Sequence, residues 1–404
     1  MQCPTVLSLL QNSNRPASTP DWLKAGFGVY VHWPFCSAKC PYCDFNSHVW
    51  SKVDQRSWAE AYKSEILSLS KLTGPREVCT VFFGGGTPSL MEPATVSTVL
   101  EAISDAWGLP KNAEVSLEAN PTSVETNRFR DYATAGVNRL SLGIQTLSDT
   151  DLRRLGRMHN RQDAIQAIEI AHQNFTNTSF DLIYARQHQT AAEWKDELTL
   201  AINLAANHLS LYQLTIEAET RFGEMYARGC LRGLPDSDLG ADLYMLTQDI
   251  CDSHGMPAYE LSNHAVSGAE CNHNLIYWRY GDYAGIGPGA HGRITLGNSR
   301  WATCTDLQPE VWLRKVNTGD TACHFDVIPP LEQAEEYLMM GLRLSEGVCL
   351  SRLQNLGLRI SGKKIRQIEE NGFLTRSKEQ LSATHEGRLV LDAILRELLT
   401  EESL

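Results

Sequence analysis

Three cysteines stand in the run Tyr30-Val-His-Trp-Pro-Phe-Cys36-Ser-Ala-Lys-Cys40-Pro-Tyr-Cys43-Asp-Phe45, spaced CxxxCxxC, with no fourth cysteine following. Cubane iron–sulfur clusters are normally held by four thiolates. A three-thiolate site leaves one iron open, and an open metal position is where a ligand or a reaction is taken in, as at a catalytic zinc. Zinc itself is the competing reading, along with cysteines that only fill a core. Zinc frames usually pair two short CxxC units, and no second unit occurs among Cys79, Cys230, Cys251, Cys271, Cys304, Cys323 and Cys349.

Other chemistry-bearing residues follow at intervals. Gly84-Gly85-Gly86-Thr87-Pro88 comes directly after the apolar run Val81-Phe-Phe83. Adjacent glycines let a backbone approach a ligand without a Cβ in the way, although the same tripeptide also makes a tight turn. Glu118, Gln145, Arg157 and Asp181 are polar residues in or just after apolar runs. Each alone reads as a satisfied hydrogen-bonding group or part of a solvated face; together they read as one site.

Short β-rich runs alternate with longer segments of helical period, and these elements must position the motifs. The strands are expected at Val29–Trp33, Cys79–Phe83, Glu114–Glu118, Arg139–Ile144, Thr178–Ile183 and His208–Ile216. Helices are expected around Ser57–Leu69, Ala94–Trp107, Ser123–Ala135, Asp149–Leu155, Gln162–Gln173 and Ala191–Leu204. Such repetition predicts an α/β fold, six parallel strands with crossover helices curled into a partial (β/α)6 barrel. Active sites in barrels gather at strand C-terminal ends. Cys36, Gly84–Pro88, Glu118, Gln145 and Asp181 all fall at or near those ends, on one rim.

The predicted division is a flexible extension over 1–24, the barrel over 25–260, a Gly- and aromatic-rich linker over 261–330, and a mainly helical, winged-helix-like domain over 331–404. A winged helix suggests DNA reading. From Ser351 onward, however, nine Lys and Arg face eight Asp and Glu, so a docking or lid role fits better. The whole chain of 404 residues, 42% hydrophobic, carries a net charge of −12 and a pI near 5.5. Phosphate neutralisation needs clustered Lys and Arg, so nucleic acid is a poor partner. Eleven cysteines are too sparse for a disulfide scaffold and suit a reducing, cytoplasmic compartment. No basic start precedes the short apolar patch Val6–Leu10, so no signal peptide is expected. No run reaches the 18 apolar residues of a membrane span.

The cysteine trio after a strand resembles the radical S-adenosylmethionine (SAM) superfamily. That resemblance implies a [4Fe-4S] cluster on Cys36, Cys40 and Cys43, an open iron chelated by SAM, and reductive cleavage of the sulfonium to a 5′-deoxyadenosyl radical. From Phe27 to Leu399, including the run Glu335–Gly347, the chain resembles the oxygen-independent coproporphyrinogen III oxidases. By this resemblance Tyr30, Gly85, Gly86, Thr87, Glu118, Gln145, Arg157 and Asp181 are SAM contacts, with Glu118 or Asp181 on the ribose and Arg157 on the carboxylate. Tyr30 packs near the adenine or the cluster, and Tyr42 either contacts adenine or only packs.

The oxidases carry CxxxCxxCxC, and this chain has Phe45 at the last cysteine. In that departure it resembles the HemW-type haem chaperones. His273-Asn274-Leu-Ile-Tyr277-Trp278 is similar to the haem-binding signature HNxxYW of the same group. Neutral imidazole is a good haem ligand, the two rings offer flat faces, and Cys271 is an alternate thiolate. The competing reading has His273 and Asn274 bracing a loop and the rings filling core. His291 and His32 read as structural. The resemblance implies a protein that binds haem, cluster and SAM and delivers haem to client haemoproteins, respiratory enzymes at the inner membrane face, as a monomer or homodimer. The alternative is the oxidase, decarboxylating coproporphyrinogen III.

Overall fold

A computed structural model describes residues 21–400, apart from Ser51 and Ala206. The six expected parallel strands are present as neighbours in chain order: β1 (Phe27–Trp33), β2 (Thr80–Gly85), β3 (Glu114–Ala119), β4 (Arg139–Gln145), β5 (Asn177–Tyr184) and β6 (His208–Gln213). Helices α1 (Gln55–Thr73), α2 (Pro93–Trp107), α3 (Phe129–Ala135), α4 (Arg161–Asn174) and α5 (Ala191–Leu204) connect them. The helix expected over Ser123–Ala135 is broken into a first turn, Ser123–Thr126, and α3. Glu125 in that turn faces inward, accepting from the Ser89 hydroxyl, from the Asn120 N–H at 2.9 Å and from the Thr122 hydroxyl at 3.1 Å.

Side chains alternate across a strand, and here the two faces differ sharply. In β4, Leu140, Leu142 and Ile144 are buried, whereas Ser141, Gly143 and Gln145 keep solvent contact. Tyr30, Phe82, Glu118 and Asp181 keep similar contact on their own strands, and Tyr212 on β6 is exposed. Parallel sheets normally cover both faces with apolar packing. In this fold only the outer face is apolar, under the helices, and the inner face lines a hollow, polar lumen.

The stretch 261–330, expected as a linker, instead adds five strands to the sheet. Strand β7 (Asn263–Ala265) pairs antiparallel with β6 at one edge. At the other edge β8 (Asp282–Ile286) runs parallel to β1, followed by antiparallel β9 (His291–Leu296), β10 (Ser299–Thr305) and β11 (Cys323–Ile328). The eleven-stranded order is β11-β10-β9-β8-β1-β2-β3-β4-β5-β6-β7. A five-residue strand containing Gly285 shows no period of its own; its pairing with β1 is set by residues some 250 positions away. Helices α6 (Ser237–Ser253), α7 (Asn272–Trp278) and α8 (Pro309–Thr318) fill the intervals.

The C-terminal body comprises α9 (Pro330–Gly341), α10 (Leu350–Asn355), α11 (Gly362–Glu370), α12 (Leu391–Leu399) and a small sheet of β12 (Val348–Cys349), β13 (Leu374–Ser377) and β14 (Gln380–Ala383). Its core gathers Leu338, Leu342, Leu353, Ile365, Leu381 and Ile394. It joins the sheet through Arg293–Glu336 at 2.7 Å and the end of α7 through Arg279–Glu346 at 2.8 Å. Of the extension expected to be flexible, residues 1–20 lie outside the described residues. Asp21–Lys24 instead forms a helical turn, with Trp22 under the Arg76 guanidinium at 4.3 Å.

One buried ionic group ties the added strands to the barrel. Asp282 is fully buried and bonds Arg76 at 2.6 Å, Arg300 at 3.1 Å and the Thr295 N–H at 2.6 Å. Removing the charge strands two buried guanidinium groups, at roughly 3–5 kcal/mol. Asp282→Asn should therefore lose stability of that order in urea unfolding. A loss under about 1 kcal/mol would show that the arginines find water instead.

Candidate functional site

The cysteine trio lies on the loop that leaves β1. Cys36 ends a two-residue strand, Phe35–Cys36, paired with His48–Val49, which closes the loop at its base. Cys36 is buried, and Cys40 and Cys43 are partly accessible. Burial pushes the Cys36 and Cys43 thiols up. The loop is held from three sides. Pro41 accepts from the Phe222 N–H at 2.8 Å, and Tyr42 packs with Phe222, Leu155 and Leu231. On the far side His32 bonds the Asn46 carbonyl at 2.9 Å, and the Asn46 amide donates to the carbonyls of Pro288 and Leu307 at 3.1 and 3.0 Å. The glycines of that bracket have a visible reason: a Cβ on Gly289 would lie 2.2 Å from Asn46 Nδ2, and one on Gly287 would lie 2.5 Å from the His32 carbonyl. The Gly287 N–H donates to Glu65 at 2.7 Å, and burial raises that carboxyl to about 7.

The glycine run closes on the same loop. The N–H groups of Gly86 and Thr87 donate to the carbonyls of Trp33 and Phe35 at 2.7 and 2.9 Å. A Cβ on Gly86 would sit 3.0 Å from Cys36 Sγ, and Gly85 has φ +112. The Thr87 hydroxyl donates to Cys36 Sγ at 3.4 Å and accepts from Asn120 Nδ2 at 3.3 Å. Asn120 Oδ1 in turn accepts from Arg157 Nη2 at 2.5 Å, and Arg157 Nη1 reaches Cys40 Sγ at 3.5 Å. A continuous chain thus links two cysteines through the ends of three strands. Arg157 Nε is buried without a partner, a donor aimed at something an anion would satisfy.

Gln145 ends β4 at φ +72, with the β4–β5 register shifting between Leu142 and Gln145. A non-glycine residue in that region is strained. The bulge turns its amide back toward Arg157: a Cβ on Gly143 would lie 3.1 Å from Gln145 Nε2 and 3.3 Å from Arg157 Nη2. Deeper in the lumen, Glu118 accepts from the Gly85 N–H. Burial, with Asp181 nearby, raises its carboxyl to about 8. Burial raises Asp181 to about 6, while it accepts from Ser141 at 3.4 Å. Burial also raises the Tyr42 phenol, beside Arg157 and Cys40. Tyr30 OH contacts His32 Nδ1 at 3.1 Å.

Twelve of the thirteen expected residues therefore meet on the rim and upper lumen; His273 does not. Helix α7 plugs the opposite end, its first N–H groups at Asn272 and His273 donating to Glu114 at 3.1 and 3.0 Å. His273 points up into the lumen, Nδ1 bonded to Thr80 Oγ1 at 2.9 Å and the ring stacked on Phe82 at 5.1 Å. Burial lowers its pKa to about 3, so the imidazole is neutral. Tyr277, one turn on, is also in the lumen, but Trp278 packs outward with Leu344 under Arg343. The two rings do not form one flat face. Burial lifts the Cys271 thiol to about 12, and it donates to Glu114 at 3.6 Å.

Asn120, Asn46, Glu65 and the Gly287–Gly289 bracket were not foreseen. Asn120 sits two residues past Glu118, and only its bridging between Thr87 and Arg157 distinguishes it.

Residues 30–201 match the family model described as the radical SAM superfamily, and residues 328–390 match the HemN C-terminal domain. Over 92% of its length the chain is 35% identical to heme chaperone HemW of Escherichia coli (strain K12), spanning 98% of that protein. It is 38% identical to a mitochondrial radical S-adenosyl methionine domain-containing protein 1 from Bos taurus, across 92% of this chain and 87% of that one. The solved coproporphyrinogen III oxidase HemN from Escherichia coli has a TM-score of 0.78 at 20% identity, across 93% of this chain and 90% of that one; this is a likeness of fold. The fold and the match over the cysteine loop define a radical SAM protein. The chain belongs to the branch of that superfamily that carries a HemN-type C-terminal domain and includes the HemW proteins.

The raised Glu118 carboxyl makes a signed prediction. Folding favours its protonated form, so its contribution is most favourable below the ordinary carboxylate pKa and is lost as pH rises toward 8. Glu118→Gln should raise the melting temperature of the ligand-free protein relative to the unsubstituted chain, by more at pH 8 than at pH 5. An equal difference at both values would remove Glu118 from the lumen's ionisation.

Proposed function

We propose that the protein is a haem chaperone: it binds haem, a [4Fe-4S] cluster and SAM, and passes haem to client haemoproteins. The observation that carries this reading is similarity to the HemW chaperones along nearly the whole chain, joined to Phe45. That side chain, two residues past Cys43, is 59% exposed, and it stands where the oxidases have a further cysteine. The oxidase reading draws support from the HemN fold, but likeness at 20% identity is shared by chains of different function.

The residues fit the implied cofactors. Cys36, Cys40 and Cys43 would hold the cluster, with Gly86 leaving room at Cys36. Gly85, Gly86 and Thr87 would cradle SAM, Arg157 would take its carboxylate through the unpartnered Nε, and Gln145, Tyr30 and Tyr42 would line it. Glu118 and Asp181 would accept its hydroxyls, at least one of them protonated near neutral pH. Together, bound cluster and SAM supply one-electron chemistry. His273, neutral and oriented by Thr80, would meet haem from the lumen side. Exposed Phe45, Val49 and Met158 flank the cysteine loop and Arg157, a surface suited to handing on an apolar cargo. No helix among the described residues is long and apolar enough to cross a membrane, so clients at a membrane would be met peripherally.

Anaerobically reconstituted protein, given SAM and reductant, should leave coproporphyrinogen III unchanged while binding haem stoichiometrically. Formation of protoporphyrinogen would refute the chaperone reading. Cys40→Ala should lose most of the cluster's visible absorbance, and retention of all of it would refute the ligand set. His273→Ala should weaken haem binding by about tenfold or more with the cluster spectrum intact; an unchanged Soret titration would take His273 out of the site.

A further inference from the structure

The floor of the lumen holds a guanidinium and a hydroxyl that make no hydrogen bond among the described residues. Arg139 opens β4, and because Leu140 and Leu142 face the helices, its side chain belongs to the inward row with Ser141. It is only 3% exposed, yet its guanidinium makes no hydrogen bond or ion pair among the described residues. Ser116 is its register partner on β3, and the buried Ser116 hydroxyl also lacks a partner. A guanidinium this little exposed gains from an acceptor close enough to bond.

The nearest acid meets that charge only at a distance: Arg139 favours the ionised Asp181 carboxyl, with no hydrogen bond or ion pair between them among the described residues. Glu114 accepts from the Asn272 and His273 N–H groups and the Cys271 thiol. Asp181, one layer up, is engaged with Ser141 and Ser210 and sits beside Glu118. His208, neutral through burial, bonds Ser179 at 2.7 Å and Tyr259 at 3.0 Å. Above the floor the lumen stays accessible through Tyr30, Phe82, Asp181 and Tyr212.

A planar guanidinium beside a hydroxyl matches one ligand group closely, a carboxylate taking the fork with its two oxygens and the hydroxyl as a third donor. The aromatic walls suit a flat molecule carrying it. We propose that Arg139 and Ser116 form a carboxylate subsite that holds a propionate of the tetrapyrrole in the lumen. This assignment rests on the haem reading and specifies which part of haem lies at the floor.

Two probes decide it: haem and haem dimethyl ester, whose propionates are blocked, each titrated by Soret absorbance into full-length, cluster-reconstituted protein. The unsubstituted protein should bind haem about tenfold more tightly than the diester. Arg139→Gln should lower haem affinity to the diester's level and leave diester affinity unchanged, while Arg139→Lys, which keeps the charge, should retain part of the preference. Equal affinity for the two probes in the unsubstituted protein, or haem affinity untouched in a folded Arg139→Gln protein, would overturn the subsite alone. Binding of neither probe by the unsubstituted protein would overturn the haem reading and the subsite with it.

Discussion

Everything in this molecule depends on a parallel sheet that is dry on one face only. The backbone of β1 to β6 is satisfied strand to strand, and the helices bury the outer rows, Leu140, Leu142 and Ile144 among them. The inner rows are therefore free of the packing that normally closes a parallel sheet. Tyr30, Glu118, Ser141 and Asp181 occupy them, and their cost in desolvation is visible in the raised carboxyls of Glu118 and Asp181. The inner face of the sheet is thus polar and only partly buried.

Its two ends are built differently. At the rim the cysteine loop has little packing of its own and is held by hydrogen bonds: Thr87, Asn120 and Arg157 on one side, Asn46 and the Gly287–Gly289 turn on the other. At the floor a short helix is capped by Glu114, and its lumen-facing residues, His273 and Tyr277, extend the aromatic column of Tyr30 and Phe82. Tyr30 contacts both His32 at the rim and His273 at the floor. A ligand in the lumen and one at the cysteine loop would therefore press on shared side chains.

Much of the barrel was readable because its signals are local. Val81-Phe-Phe83 before a glycine run, or Arg139–Ile144 after an apolar helix, announce strand and rim without any partner in view. Helix α5 was read at its observed bounds, since its Thr190 and Glu193 capping box is written in four residues. The strands β8 to β11 were not readable: each is short, and Asp282 became a structural anchor only when folding brought Arg76 and Arg300 to it.

By itself the sequence determined the residue types and their spacing: three thiols on one loop, a glycine run after a strand, Phe45 in place of a cysteine, an HNxxYW helix. Those are local facts, and with them came the family and its cofactor chemistry. Tertiary structure alone decided which end of the barrel each motif occupies. It put His273 at the floor and away from the rim, turned Trp278 outward, and engaged the Cys271 thiol with Glu114. It also set Arg139 beside Ser116, whose buried hydroxyl has no partner among the described residues. Burial and pairing depend on contacts between residues far apart in the chain, and spacing along the chain carries no record of them.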